Sequence, residues 1–171
     1  MTDFDLRSLR LHPGDERAVE KEIALLGFDL GGQAYVPAPD CVIVALKVAQ
    51  TVSGAVLHLR FDAHLAGPCV RCLAPAMLDL HILAHEYQDS KPVPGDDLST
   101  VYVEDDILDL SQWARDEVAL ALPEQILCRP DCAGLCPACG KDLNLEPHVH
   151  EQSVADLRWQ ALADLRDELM P

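Results

Sequence analysis

The chain has 171 residues, 49% apolar and 25% charged, the profile of a soluble globular protein with one core or one core plus a small appendage. Thirteen Lys and Arg stand against 29 Asp and Glu, a formal net charge of −16, which excludes a generic nucleic-acid coater and disfavours an anionic membrane surface. No apolar run reaches the ~18 residues of a spanning helix. The start Met1-Thr2-Asp3-Phe4-Asp5 has no apolar signal core, so the expected compartment is the cytoplasm.

From about residue 19 to 88 the apolar pattern has period two, the signature of half-buried strands. Gly31-Gly32 marks an early turn. The run Val42–Ala49 predicts a strand, joined through a turn near Ser53-Gly54 to a long hairpin. Leu57, Leu59, Phe61, Ala63 and Leu65 point one way; His58, Arg60, Asp62 and His64 point the other. After Cys69-Val70-Arg71-Cys72 the alternation resumes, with Leu78, Leu80, Ile82 and Ala84 opposite Asp79, His81, Leu83 and His85. Residues 89–98, rich in Pro, Gly and Asp, read as a loop, and a short strand is expected at 100–104. The period then changes. Asp109 with Gln112 resembles a capping box, Leu110, Trp113, Ala114, Val118, Ala121 and Leu122 form a helical stripe, and Pro123 ends it. Residues 124–150 show little periodicity. Ser153 with Asp156 suggests a second N-cap, followed by a helical stripe of Val154, Leu157, Ala161, Leu162, Leu165 and Leu169. The expected class is α+β: an antiparallel sheet or partial barrel followed by helices and a zinc-stabilised C-terminal region. The expected division is a β-rich domain over residues 1–123 and a Cys/His region with a helix over 124–171.

Seven cysteines carry the strongest chemical signal: Cys41, Cys69, Cys72, Cys128, Cys132, Cys136 and Cys139. In a reducing compartment, clustered cysteines read as metal ligands rather than disulfides. Cys69–Cys72 and Cys136–Cys139 have knuckle spacing, in which two thiolates grip one ion and the turn's N–H groups bond to the sulfurs. Each needs a second pair. His148 and His150 follow Cys139 closely, so a cheap loop closure pairs them with Cys136 and Cys139. Cys69, Cys72, Cys128 and Cys132 then form the other set. The rival partition is one local site of Cys128, Cys132, Cys136 and Cys139, and the bland alternative is thiols without metal. One or two zinc ions are expected, structural because four protein ligands leave no position for water. Pro68-Cys69-Val70-Arg71-Cys72 matches half of a zinc-deaminase signature, but the His-x-Glu or Cys-x-Glu half is absent.

Other polar features have plain readings. His58, His64, His81 and His85 suit a solvated strand face. The acidic stretch Asp96, Asp97, Glu104, Asp105, Asp106 and Asp109 lacks EF-hand spacing and suits a solvated or partner-facing loop. Trp113, Trp159 and Cys41 are expected in the core. No phosphate-binding Gly loop and no G-x-S-x-G elbow occurs.

Taken together, Arg71-Cys72-Leu73-Ala74-Pro75, the acidic approach to Asp109-Leu110, Leu120-Ala121-Leu122-Pro123, the run from Cys128 to Gly140, Asp142-Leu143-Asn144 and the final Leu157-Arg158-Trp159 resemble the YceD family of large ribosomal RNA subunit accumulation proteins. The resemblance covers roughly residues 19–167. Many members carry Cys-x-Cys where this chain has His148-Val149-His150, a change that keeps two zinc donors. The resemblance implies a non-enzymatic ribosome-assembly factor that supports 23S rRNA accumulation. Its implied partner is a precursor of the large subunit. The charge favours contact with a basic ribosomal protein, the acidic stretch being the expected contact, over direct rRNA binding. Arg71, Arg129 and Lys141 are the few basic residues that direct RNA contact could use. The competing functions are a zinc-dependent nucleic-acid enzyme and a thiol redox sensor.

Overall fold

A computed structural model describes residues 3–91 and 99–150. The chain divides into two compact units, Met1–Cys132 and Ala133–Pro171. The expected 123/124 division falls inside the first of them.

The first unit is built from antiparallel strands. Strand β1 (Asp3–Asp5) leads into a short 3-10 helix at Leu6–Leu9. Strands β2 (Glu16–Ala24), β3 (Phe28–Leu30), β4 (Gln33–Pro37), β5 (Cys41–Gln50), β6 (Gly54–Pro68) and β7 (Pro75–Asp89) follow. They form one six-stranded sheet in the order β2-β5-β6-β4-β3, with β7 on the other side of β6. Strands β8 (Val103–Glu104) and β9 (Ile107–Asp109) join β1 in a small second sheet, and helix α1 spans Leu110–Ala121. No helix among the described residues is long and apolar enough to cross a membrane.

The period-two pattern produces this sheet. Val42, Val44, Leu46 and Val48 of β5, Leu57, Leu59, Phe61, Ala63 and Leu65 of β6, and Leu80, Ile82 and Ala84 of β7 share one buried cluster with Leu108, Leu110, Trp113, Ala114 and Val118. Each large apolar side chain buried there contributes about 1.5–3 kcal/mol. The β6–β7 pairing runs without a bulge from Gly54↔Asp89 to Pro68↔Pro75, so the alternation keeps one face to the core along its whole length.

The helix begins where expected: the Asp109 carboxylate accepts from the Gln112 N–H at 2.9 Å. It ends because Leu122, held before Pro123, is extended at φ −63°, ψ 133°. Helix α1 is the one α-helix among the described residues, so the architecture is a mostly antiparallel sheet protein with one packed helix, more β-rich than the expected α+β class followed by helices. The expected helix over Val154–Leu169 lies outside the described residues, as do Asp96, Asp97 and Trp159. The expected strand at 100–104 is shorter, Val103–Glu104, and it forms a hairpin with β9 that no sequence signal announces. Asp105 and Asp106 occupy its two-residue turn with φ of 50° and 63°, the double left-handed conformation that Asp tolerates. Arg7 braces this turn, donating to the Asp105 carbonyl at 3.0 Å and lying 3.8 Å from the Asp106 carboxylate.

In the second unit, the described residues hold no apolar cluster comparable to the core. A single antiparallel bridge, Leu135↔Asp142, pins the loop. Leu143 N–H donates to Gly134, and the Asn144 side chain accepts from Ala133 N–H at 2.7 Å.

Candidate metal centres

The first centre sits at the tip of the β6–β7 hairpin. Backbone bonds shape the turn: Cys69 N–H donates to Ala74, and Leu73 N–H to the Cys69 carbonyl at 2.9 Å. Two bonds dock the later cysteines against it. Val70 N–H donates to Ile126, and the Arg71 guanidinium donates to the Cys132 carbonyl, both at 3.0 Å. Beneath the turn lies a second apolar cluster of Tyr35, Ala76, Ile126 and the buried cysteines. The Tyr35 hydroxyl donates to the Pro68 carbonyl at 2.8 Å. Its ring lies so close over Gly67 that a Cβ there would fall 2.2 Å from Cδ1. Glycine is thus required for close approach, a role no sequence motif announces.

Cys69, Cys72, Cys128 and Cys132 converge here, their sulfurs mutually within 4.8 Å. Cys69 Sγ lies 3.8 Å from Cys132 Sγ, and Cys72 Sγ 3.5 Å from Cys128 Sγ. A tetrahedron with zinc–sulfur arms of about 2.3 Å has edges of about 3.8 Å, so the spacing fits a zinc ion. Cys69, Cys72 and Cys132 are buried and Cys128 lies nearest to solvent. Burial pushes the Cys69 thiol up, but N–H groups of Cys128, Cys72 and Arg71 directed at its sulfur outweigh this and lower it to about 6. Cys128 is pushed up to about 12, first by its neighbour Cys72 and then by burial. A shared proton economy of this kind is what four crowded thiols show before a cation neutralises them.

The second centre repeats the turn. Gly140 N–H donates to the Cys136 carbonyl at 2.8 Å, and Cys136 N–H to Lys141. Cys136, Cys139, His148 and His150 bring their donor atoms within 4.8 Å of one another. Cys139 Sγ lies 3.2 Å from His148 Nε2. The Glu146 carbonyl, 2.7 Å from His148 Nδ1, can only accept, so Nδ1 carries the proton and Nε2 keeps a lone pair for a cation. Burial raises Cys136, and N–H groups of Cys139 and Ala138 more than offset it, lowering that thiol to about 6. Cys139 and His150 are exposed.

All eight residues singled out in the sequence therefore fall into two sets of four, and every cysteine is free of disulfides. The fourth cysteine of the first set, Cys132, and the first of the second, Cys136, sit on different centres, so the rival partition into one local four-cysteine site does not occur. Cys41 stands apart and half-buried at the start of β5. The basic residues near these turns are engaged locally: Arg71 with Cys132, Arg129 with Asp131 at 3.4 Å, Lys141 with Glu146 at 2.6 Å. No sequence motif marks the docking roles of Val70, Arg71 and Ile126.

The family model for large ribosomal RNA subunit accumulation protein YceD matches residues 57–166, from within β6 through both centres. The chain belongs to the YceD family. Among curated relatives, an uncharacterized protein of Mycobacterium tuberculosis is 37% identical over 127 residues, covering 70% of this chain and 59% of the relative. The chain thus spans well under two thirds of that relative's length. An uncharacterized protein of Mycobacterium leprae is 30% identical across 95% of this chain and 76% of its own. The uncharacterized protein YlbN of Bacillus subtilis is 28% identical, covering 63% of this chain and 66% of its own. No solved structure matches. Within this YceD chain, the matched segment is the one that carries all eight donors.

Proposed function

We propose that this YceD protein is a non-enzymatic, cytoplasmic assembly factor that supports accumulation of large-subunit rRNA and holds two structural zinc ions. The family match over residues 57–166 carries the proposal. The donor sets support its zinc part: each supplies four S or N ligands within 4.8 Å. A full set of four protein ligands leaves no position for a reacting water, which argues against a zinc-dependent enzyme.

Contact runs at least partly through protein. With a net charge of −16, the surface attracts a Lys/Arg-rich ribosomal protein more readily than a phosphate track. The β8–β9 turn offers Glu104, Asp105 and Asp106 for this. Glu104→Gln with Asp105→Asn and Asp106→Asn keeps the turn, because Asn also tolerates left-handed backbone. The test is gradient fractionation of cell lysate with the tagged chain, followed by identification of bound RNA and proteins. Co-migration with large-subunit precursors is expected, with slower and less salt-dependent association of the triple variant. Absence from ribosomal fractions would refute the assembly role. Loss of binding on charge removal at Arg71, Arg129 and Lys141, with the acidic variant unaffected, would replace protein contact by direct RNA contact. Elemental analysis should give one to two zinc ions per chain.

A further inference from the structure

Strand β7 runs for 15 residues, Pro75–Asp89, and among the described residues its one strand partner is β6. Its other edge can be assigned from two bonds. The Tyr87 carbonyl accepts from Thr100 N–H at 2.8 Å, outside the β6 ladder. On β6, the His64 carbonyl accepts from Ala38 N–H, away from β7. Antiparallel ladders alternate residue by residue, and the β6–β7 register has no bulge. Even-numbered residues of β7 therefore bond to β6. Met77, Asp79, His81, Leu83 and His85 turn their N–H and C=O groups to the open edge. Among the described residues nothing bonds there: the buried side chains of α1 share the core with Leu80, Ile82 and Ala84 on the inner face of β7.

Natural sheets guard such an edge with Lys, Pro or a bulge. Residues 76–89 contain none of these, and Met77 and Leu83 are 59% and 76% exposed. The edge is instead complementary to itself. A two-fold axis at Leu80 sets Asp79 of one copy opposite His81 of the other, twice, and Met77 opposite Leu83, twice. Carboxylate meets imidazole and apolar meets apolar at the four pairs formed by residues 77, 79, 81 and 83. Moving the axis by one residue destroys this, setting His81 against His81 or Asp79 against Asp79. Pro75, lacking an N–H, ends the ladder.

The side chains are poised for this register. His81 Nδ1 lies 2.6 Å from Asp62 Oδ1 and Asp79 Oδ1 lies 2.6 Å from His64 Nδ1, so that, among the described residues, Nε2 of His81 and Oδ2 of Asp79 carry no bond. The second copy would extend each pair into a chain Asp62–His81–Asp79–His64 across the interface.

We propose that this chain forms a symmetric homodimer by antiparallel pairing of β7 with β7 of a second copy, in the register Asp79 to His81. Four residue pairs exchange two backbone bonds each, about eight in all. The interface is isologous and closed, so it saturates the edge rather than propagating.

The experiment is sedimentation of the zinc-loaded full chain at about 10–100 μM and near-neutral pH, where a mid-affinity dimer of this kind populates. A dimer is expected. Met77→Lys with Leu83→Lys sets Lys against Lys twice and should weaken association about tenfold or more, with zinc content and far-UV spectrum unchanged. Asp79→His alone and His81→Asp alone should each associate poorly, while a mixture of the two recovers dimer, because only the mixed pair restores opposite partners. Amides of residues 77, 79, 81 and 83 should exchange more slowly as concentration rises, while Leu78, Leu80 and Ile82 stay protected throughout. A chain that stays monomeric at 100 μM, or a dimer indifferent to the lysine pair, overturns the proposal. Edge amides protected only after a Lys/Arg-rich peptide is added would overturn it in favour of a partner strand.

Discussion

Cys69-Val70-Arg71-Cys72-Leu73 and Cys136-Pro137-Ala138-Cys139-Gly140 fold into the same turn and do different work. In both, the fifth residue is left-handed, with φ of 62° at Leu73 and 73° at Gly140, and its N–H closes on the first cysteine's carbonyl at 2.9 and 2.8 Å. The first turn draws its other sulfurs from far along the chain, Cys132 lying 63 residues from Cys69. The second finds its histidines locally, His148 lying 9 residues from Cys139. The first also rests on its own apolar cluster with Tyr35 and Ile126. An ion at the first turn would staple a region already packed. At the second it would stand in for the core that its loop lacks.

The largest expected effect separates these roles. Cys132→Ser should remove one zinc and open a 63-residue closure, worth about 4 kcal/mol in chain entropy. Thermal melting should show that loss in the sheet-containing unit. Cys136→Ser should also remove one zinc, yet leave the sheet's melting unchanged and abolish amide protection in residues 133–150. Equal loss of sheet stability in both variants would erase the distinction. Next comes Gly67→Ala, which tests the apolar support of the first turn alone. A methyl 2.2 Å from the Tyr35 ring must displace a side chain that is 1% exposed, at a cost of about 1–3 kcal/mol. The second centre's zinc affinity should not change.

The sequence made the hairpin legible because fifteen-residue strands repeat their alternation enough times to exclude a helix. It made the two donor sets legible because thiol pairs at knuckle spacing have few other uses. The short elements escaped for the converse reason. Strand β1 has three residues and β8 two, too few for any period. Asp105 and Asp106 looked like part of an acidic loop, although adjacent left-handed Asp residues also make a hairpin turn. The start of β2 was hidden because Glu16, Arg17 and Ala18 are all exposed. Tyr35 over Gly67 is a contact between residues 32 apart, which no local pattern encodes.

The metal-free protein offers a pH comparison of the turns. Cys69 and Cys136 each lie near 6, below the ordinary thiol value of 9, so each turn should hold one thiolate at neutral pH. A depressed folded value stabilises the fold fully above pH 9, and that contribution fades as pH falls through 6. Thiolate absorbance should rise by two groups per chain around pH 6 and by one in either Cys69→Ser or Cys136→Ser. Cys128, near 12, should stay protonated throughout. A single step shared by both turns would mean that the two centres ionise differently from this geometry.

The smallest effect concerns the fifth residue of each turn. Left-handed backbone costs an ordinary residue about 1 kcal/mol, and glycine nothing. Nothing lies within 4 Å of a Cβ built at Gly140, so Gly140→Ala should lose about 1 kcal/mol to conformation alone, a roughly fivefold weaker zinc affinity at the second centre. Leu73 already bears this strain and is 55% exposed. Leu73→Gly would relieve it but forfeit the apolar burial of a side chain that is nearly half covered, leaving stability within about 0.5 kcal/mol of the parent. Chelator competition on each variant measures both. The first turn tolerates leucine in a glycine conformation because its long-range docking bonds and the cluster beneath over-determine it. The second, lacking both, has glycine. If Gly140→Ala proved as neutral as Leu73→Gly, the second turn would need no more help from its sequence than the first, and the contrast between staple and core substitute would fail.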